Sequence, residues 1–123
     1  MISKDFEKWA LPIVRKYQKI LLLEDHLLTF EQSNTVEGGI TMHHLFMYPY
    51  KETCIQYGSD ALAMWKRKDK KTLKEVIIHE LCHSVTDPLY GKATNRFIGR
   101  DELNDERERL TDHIANIIVK LEV

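Results

Sequence analysis

The segment His79-Glu80-Leu81-Cys82-His83 restricts this chain more than any other. Residues four apart on a helix lie about 40° apart around the axis and one turn apart along it. Two imidazoles at that spacing reach the same small volume and can coordinate one metal ion. Glu80 points about 100° away from His79, beside that volume, where it can take a proton from a water that the metal activates. On an ordinary core helix the same trio would be a liability, because an unpaired buried carboxylate is costly. The pattern H-E-x-x-H arises by chance in roughly a few chains per thousand of this length, and many such accidents fall in loops or strands. Here it falls within a helical apolar pattern, Leu73, Val76, Ile77 and Leu81. Thr72 as N-cap and Glu75 three residues on make a capping box, and Asp87-Pro88 supplies a stop. The spacing therefore predicts a helix over residues 72–85 with a metal-binding face.

Around that helix the chain reads as α+β. Phe6, Trp9/Ala10, Ile13/Val14, Tyr17 and Leu21 recur every three to four residues and predict an amphipathic helix over 6–23, started or kinked by Pro12. Residues 26–30, 39–48 and 53–57 are short runs rich in β-branched and aromatic side chains, separated by Gly38-Gly39, Pro49 and Gly58. They predict a small sheet of about three strands. A short helical turn over 60–65 precedes the motif helix. After a connection holding Gly91 and Gly99, a last helix over 101–121 shows the apolar stripe Leu103, Leu110, Ile114, Ile117, Ile118 and Leu121.

Composition narrows the class. The 123 residues, 43% of them hydrophobic, suit one domain with a core of its own and no linker or repeat. With 18 Lys+Arg against 19 Asp+Glu the formal charge is −1, which argues against a protein built to coat nucleic acid. Two cysteines make no disulfide framework. The start Met1-Ile2-Ser3-Lys4-Asp5 lacks the pattern of a signal peptide, and no stretch approaches the ~20 apolar residues of a membrane span. A soluble, reduced, cytoplasmic protein with no membrane partner is expected.

A catalytic zinc needs a third protein ligand and an open position. The last helix offers Glu102, Asp105, Glu106, Glu108, Asp112 and His113. The apolar stripe puts Glu106 and His113 at its flank and so favours them. Glu108 and Asp112, four apart, share another face; one could bind metal while the other accepts a hydrogen bond from a ligand histidine. Periodicity leaves this choice open.

The stretch His79-Glu80-Leu81-Cys82-His83-Ser84-Val85-Thr86-Asp87 closely resembles the active-site helix of thermolysin-like zinc peptidases, the gluzincins. Those proteins carry a metal-binding Glu on a following helix in an E-x-x-x-D pattern, which Glu108-Arg109-Leu110-Thr111-Asp112 fits. The resemblance covers residues 74–119. It implies a zincin-like fold, one Zn²⁺ per chain on His79, His83 and Glu108, and Asp112 supporting His79. It also implies hydrolysis of a peptide or protein substrate with Glu80 as general base. The helix, small sheet, motif helix and Glu helix are similar to the single-domain version, the minigluzincins. Larger relatives take transition-state donors from a second domain; Tyr57, Tyr90 and His113 are the candidates here. A non-catalytic zinc protein that keeps the fold, of the kind found among phage accessory proteins, is the alternative.

Other features read more plainly. The basic run Lys66-Arg67-Lys68-Asp69-Lys70-Lys71 is a solvated loop before a helix rather than a nucleic-acid contact. His43 and His44 on one strand face opposite ways, so at most one can approach the metal. Cys54 and Cys82 read as small buried residues, and Trp9 and Trp65 as packing. The strand over 53–57 is the expected edge for pairing with an extended peptide.

Overall fold

The computed structural model describes residues 2–47, 52–94 and 100–121. Helix α1 (Ile2–Ile20) leads into strands β1 (Leu27–Gln32), β2 (Met42–Met47) and β3 (Glu52–Tyr57). Helices α2 (Ser59–Lys66), α3 (Lys70–Thr94) and α4 (Arg100–Leu121) follow. Among the described residues no helix is long and apolar enough to cross a membrane.

The α+β class and the three-stranded sheet match the sequence reading, but the expected edge strand does not. The order is β1-β3-β2, with β1 parallel and β2 antiparallel to β3. The segment 53–57 is therefore the central strand, with both its edges already paired, and cannot take on a peptide. The sheet edges are β1 and β2. Along β3 the alternation is strict: Thr53, Ile55 and Tyr57 are buried, while Cys54 and Gln56 lie on the more open face with Glu31. Helix α1 buries the stripe Phe6, Ala10, Val14 and Tyr17, close to the predicted one. Phe6 meets the ring of Tyr57 edge-on at 4.9 Å and that of Trp65 at 5.8 Å, an aromatic cluster that joins α1, the sheet and α2.

Helix α3 packs against α4, α1 and β2, and its Leu73, Ile77, Ile78, Leu81 and Cys82 are buried. It starts earlier than predicted. Asp69, not Thr72, is the cap, its Oδ1 accepting the Thr72 N–H at 3.4 Å. It also ends later, running through Pro88 and Gly91 to Thr94. Proline's φ suits a helix, but inside one it removes an i→i−4 bond and its ring crowds the carbonyl of the residue four back, at about 3 kcal/mol. The helix nevertheless continues through it.

The face of α4 is corrected in part: Ile118 of the expected stripe is buried and Ile114 packs against the core, but the face is turned from the one read. Thr111, Ala115 and Ile118 are buried, whereas Leu110, Ile117 and Leu121 of the expected stripe are 38%, 47% and 79% exposed. Small side chains at 111 and 115 let α4 approach α3 closely, so they mark the buried face better than the large apolar residues do. Glu108 lies in line with that face, at the i and i+3 spacing from Thr111.

Helices α1 and α2 both end on a residue with positive φ, Leu22 at 58° and Lys68 at 62°. Each termination is of the Schellman type, with Leu23 N–H donating to Gln18 O at 2.8 Å and Asp69 N–H to Met64 O at 3.0 Å. The left-handed conformation costs an L-residue with a Cβ about 1 kcal/mol, and Leu22 is 83% exposed, so its side chain adds little packing. Leu22→Gly should therefore stabilise the protein by roughly 0.5–1 kcal/mol in thermal or urea unfolding. A destabilised variant would contradict this assignment of the helix end.

Candidate metal centre

His79, Glu80 and His83 stand on the side of α3 that meets α4 and β2. Their potential ligand atoms all lie within 4.8 Å of one another, a group that could hold a metal ion. The carbonyl-to-amide frame of the helix sets the spacing, as the sequence predicts. What the tertiary structure adds is the state of each ring.

His79 Nδ1 lies 2.7 Å from Asp112 Oδ1 on α4, and His83 Nδ1 lies 2.9 Å from Asp87 Oδ1 on its own helix. A carboxylate only accepts, so each Nδ1 carries a proton and, when the ring is neutral, each Nε2 presents a lone pair. The two Nε2 atoms face one another at 3.2 Å. Glu108 Oε2 lies 3.5 Å from His79 Nε2 and 3.3 Å from His83 Nε2. Three acceptors thus form a triangle with sides of 3.2, 3.3 and 3.5 Å. A tetrahedral ion with bonds of ~2.0–2.1 Å spaces adjacent ligands ~3.3–3.4 Å apart. The donor set fits a divalent cation in size and in chemistry, and only a cation or an added proton relieves the mutual repulsion of such a cluster.

The cleft over this triangle has a volume of about 280 Å³ and is bounded by Ile40, Met42, His43 and His44, by His79, Glu80, His83 and Asp87 of α3, and by Arg107 and Glu108 of α4, so both strand histidines border it. Its charges are acid-rich. Glu80 is 8% exposed, and burial pushes its carboxyl up to about 7; the charge of His83 opposes this, while Glu108 and Asp87 reinforce it. His83 is raised: burial alone would lower it, but the hydrogen bond and charge of Asp87 and the charges of Glu80 and Glu108 outweigh that. Asp87 is half-buried, which alone would raise its carboxyl, yet hydrogen bonds from His44 and His83 and their charges hold it well below the usual carboxylate range. Arg107 faces this cluster, with Nη1 3.8 Å from Asp87 Oδ1 and Nη2 3.9 Å from Glu108 Oε1.

The choice between Glu106 and Glu108 can be put in distances. Glu106 is 61% exposed at its side chain and pairs with Arg109 at 2.8 Å, whereas Glu108 reaches both Nε2 atoms. His113 is exposed and Tyr57 is buried in the aromatic cluster, so neither borders the cleft; the side chain of Tyr90 lies outside the described residues. Cys82 is fully buried and its thiol is pushed up to about 12 by burial, which leaves it packing rather than ligating.

Four residues escaped the sequence reading. Asp87 stands in the motif stretch but reads there as part of a helix stop. His44 reads as an ordinary strand residue, yet Nδ1 lies 3.2 Å from Asp87 Oδ2 and Nε2 lies 3.0 Å from Ser84 Oγ. Thr86 and Thr111 join α3 to α4 through a buried hydroxyl contact of 2.8 Å, and Thr111 donates to the Arg107 carbonyl at 2.7 Å. That contact sets the register of the two helices one turn from Glu108. A polar i, i+3 neighbour of Glu108 on the face opposite Glu106 is the faint signal that could have pointed to it.

Comparison of the chain with protein-family models, with characterised proteins and with solved structures gives no match.

Glu80 supplies a direct test of the site's electrostatics. Its folded pKa of about 7 lies above the ordinary 4.5, so the folded state binds more protons between those values, and stability falls as pH rises through that window. Without metal, Glu80→Gln should leave stability unchanged near pH 4 and raise it by up to about 3 kcal/mol near pH 8, read by urea unfolding in the presence of a chelator. Equal effects at both pH values would mean that Glu80 is not buried as a charge.

Proposed function

We propose that this chain is a zinc-dependent peptidase of the zincin-like kind, with His79, His83 and Glu108 as protein ligands. The observation that carries the reading is the triangle of 3.2, 3.3 and 3.5 Å between two histidine lone pairs and a carboxylate oxygen, with Glu80 beside it. When bound, zinc supplies Lewis acidity, drawing the pKa of water toward ~7 and polarising a carbonyl. The roles of the chain's own groups follow from where they stand. Asp112 and Asp87 keep the Nδ1 protons in place, so both Nε2 atoms stay ligating. Glu80, whose pKa a neighbouring cation pulls back down, accepts the proton of the attacking water and returns it to the leaving nitrogen. With β3 already paired on both edges, β2 is the strand that borders the cleft, and an extended peptide would pair along it.

One observation favours the second reading, a zinc protein without catalysis. Neither Tyr57 nor His113, the candidate donors to a developing oxyanion, borders the cleft. Arg107 is the lysine or arginine that does so among the described residues.

Two measurements decide between them. Elemental analysis should find one zinc per chain in the wild type and in Glu106→Ala, and loss of zinc in Glu108→Ala. Glu80→Gln should retain the zinc and lose cleavage of a peptide library by roughly 10²–10⁴-fold. Stoichiometric zinc with no cleavage by the wild type would favour the structural reading, and a wild type that takes up no zinc would remove both.

A further inference from the structure

We propose that His44 is a positioning residue that ties the edge strand β2 to the metal affinity of His83. This rests on the reading of His79, His83 and Glu108 as a metal site, and goes beyond it by making that affinity depend on a strand that carries no ligand.

The His44 side chain is 1% exposed. Its ring lies nearly parallel to that of His83, with centroids 5.6 Å apart and planes 22° apart. Its two nitrogens have distinct roles. Asp87 accepts from Nδ1–H at 3.2 Å, and Nε2 accepts from the Ser84 hydroxyl at 3.0 Å. Burial lowers the pKa of His44 in spite of Asp87, which agrees with a neutral ring holding one proton. Ser84 Oγ lies 3.2 Å from Thr53 Oγ1, so the chain of contacts continues into the central strand. The other oxygen of Asp87 takes the Nδ1–H of His83 at 2.9 Å.

Asp87 is therefore gripped at both oxygens, by a ligand histidine on one side and a strand histidine on the other. A carboxylate held at one oxygen can pivot about its χ2 torsion, and the ring that donates to it can swing with it. Held at both, it fixes the rotation of the His83 ring and the direction of its Nε2 lone pair. Among the described residues β2 has a hydrogen-bonded strand on one edge only, so it is the less constrained side of this arrangement. Ordering β2 and ordering Asp87 with His83 become one event. Thermodynamic linkage then requires the reverse: zinc on His83 should tighten β2.

The test compares His44→Met, which keeps the bulk but offers Asp87 no donor, with His44→Gln, whose amide can donate to Asp87 and accept from Ser84. Leu45→Thr, on the more open face of the same strand, is the control. Zinc affinity is measured by competition with a chromophoric chelator, and amide hydrogen exchange over residues 42–47 is followed with and without zinc. His44→Met should weaken zinc binding roughly 10- to 100-fold and abolish the zinc-dependent slowing of exchange in β2. His44→Gln and Leu45→Thr should stay within a few-fold of the wild type and keep that slowing. A residue that only supports the fold would lower the stability of the metal-free protein yet leave both zinc readouts in place. Wild-type zinc affinity in His44→Met, or equal losses in His44→Met and Leu45→Thr, would overturn the proposal while leaving the metal site intact. A wild type that binds no zinc would overturn the site reading and this inference together. If His44→Met does not fold, Ser84→Ala serves in its place: a several-fold loss of affinity supports the coupling, and none overturns it.

Discussion

Helix α3 is enclosed on several sides while carrying His79, Glu80, His83 and Asp87, and that conflict organises the rest of the molecule. A helix packed against α1, α4 and β2 leaves little water to satisfy such groups. Each neighbour that covers the polar side must therefore bring a partner. α4 brings Glu108 and Asp112, and β2 brings His44. The apolar side, with Leu73, Ile77 and Leu81, meets α1 and the sheet in the usual way. The fold is a solution to hiding one two-faced helix.

The solution leaves a charge imbalance. Glu80, Asp87 and Glu108 border one small cleft with Arg107 as the permanent cation. Burial and mutual repulsion raise Glu80, and the surrounding acids raise His83. Burial is the largest cause at Glu80, and the neighbouring acids add to it. Groups arranged at such a cost in the metal-free state are the ones that gain most when a cation is present.

Much of this was legible in the chain, and the failures have a common cause. The helical and strand segments were readable because apolar periodicity is a local property of the backbone repeat. The α1 stripe came out nearly as read. The α4 stripe came out only in part: Ile118 is buried and Ile114 packs against the core, but burial there also follows Thr111 and Ala115, small residues that matter only when another helix comes close. Asp69 replaced Thr72 as cap, since a local preference of about a kilocalorie yields to packing, and α3 runs on through Pro88 although an interior proline costs about 3 kcal/mol. The strand order could not be read at all: residues 53–57 look like any half-buried strand, and whether such a strand is central or at an edge depends on which segments return beside it. His44 and Asp87 were invisible as a pair for the same reason, lying forty-three positions apart.

By itself the sequence determined that residues 79–83 are helical, that His79 and His83 share one face with Glu80 beside them, and that helices flank a small β segment. These follow from the 3.6-residue and two-residue repeats, which need no knowledge of neighbours. Only the tertiary structure decided that Glu108 rather than Glu106 meets the two lone pairs, that Asp112 and Asp87 hold the two ring protons, and that β2 rather than β3 borders the cleft. Those outcomes depend on the rotation of α4 about its own axis and on strand pairing. Both are set by the close fit of side chains from distant parts of the chain, a constraint that no local window of sequence contains.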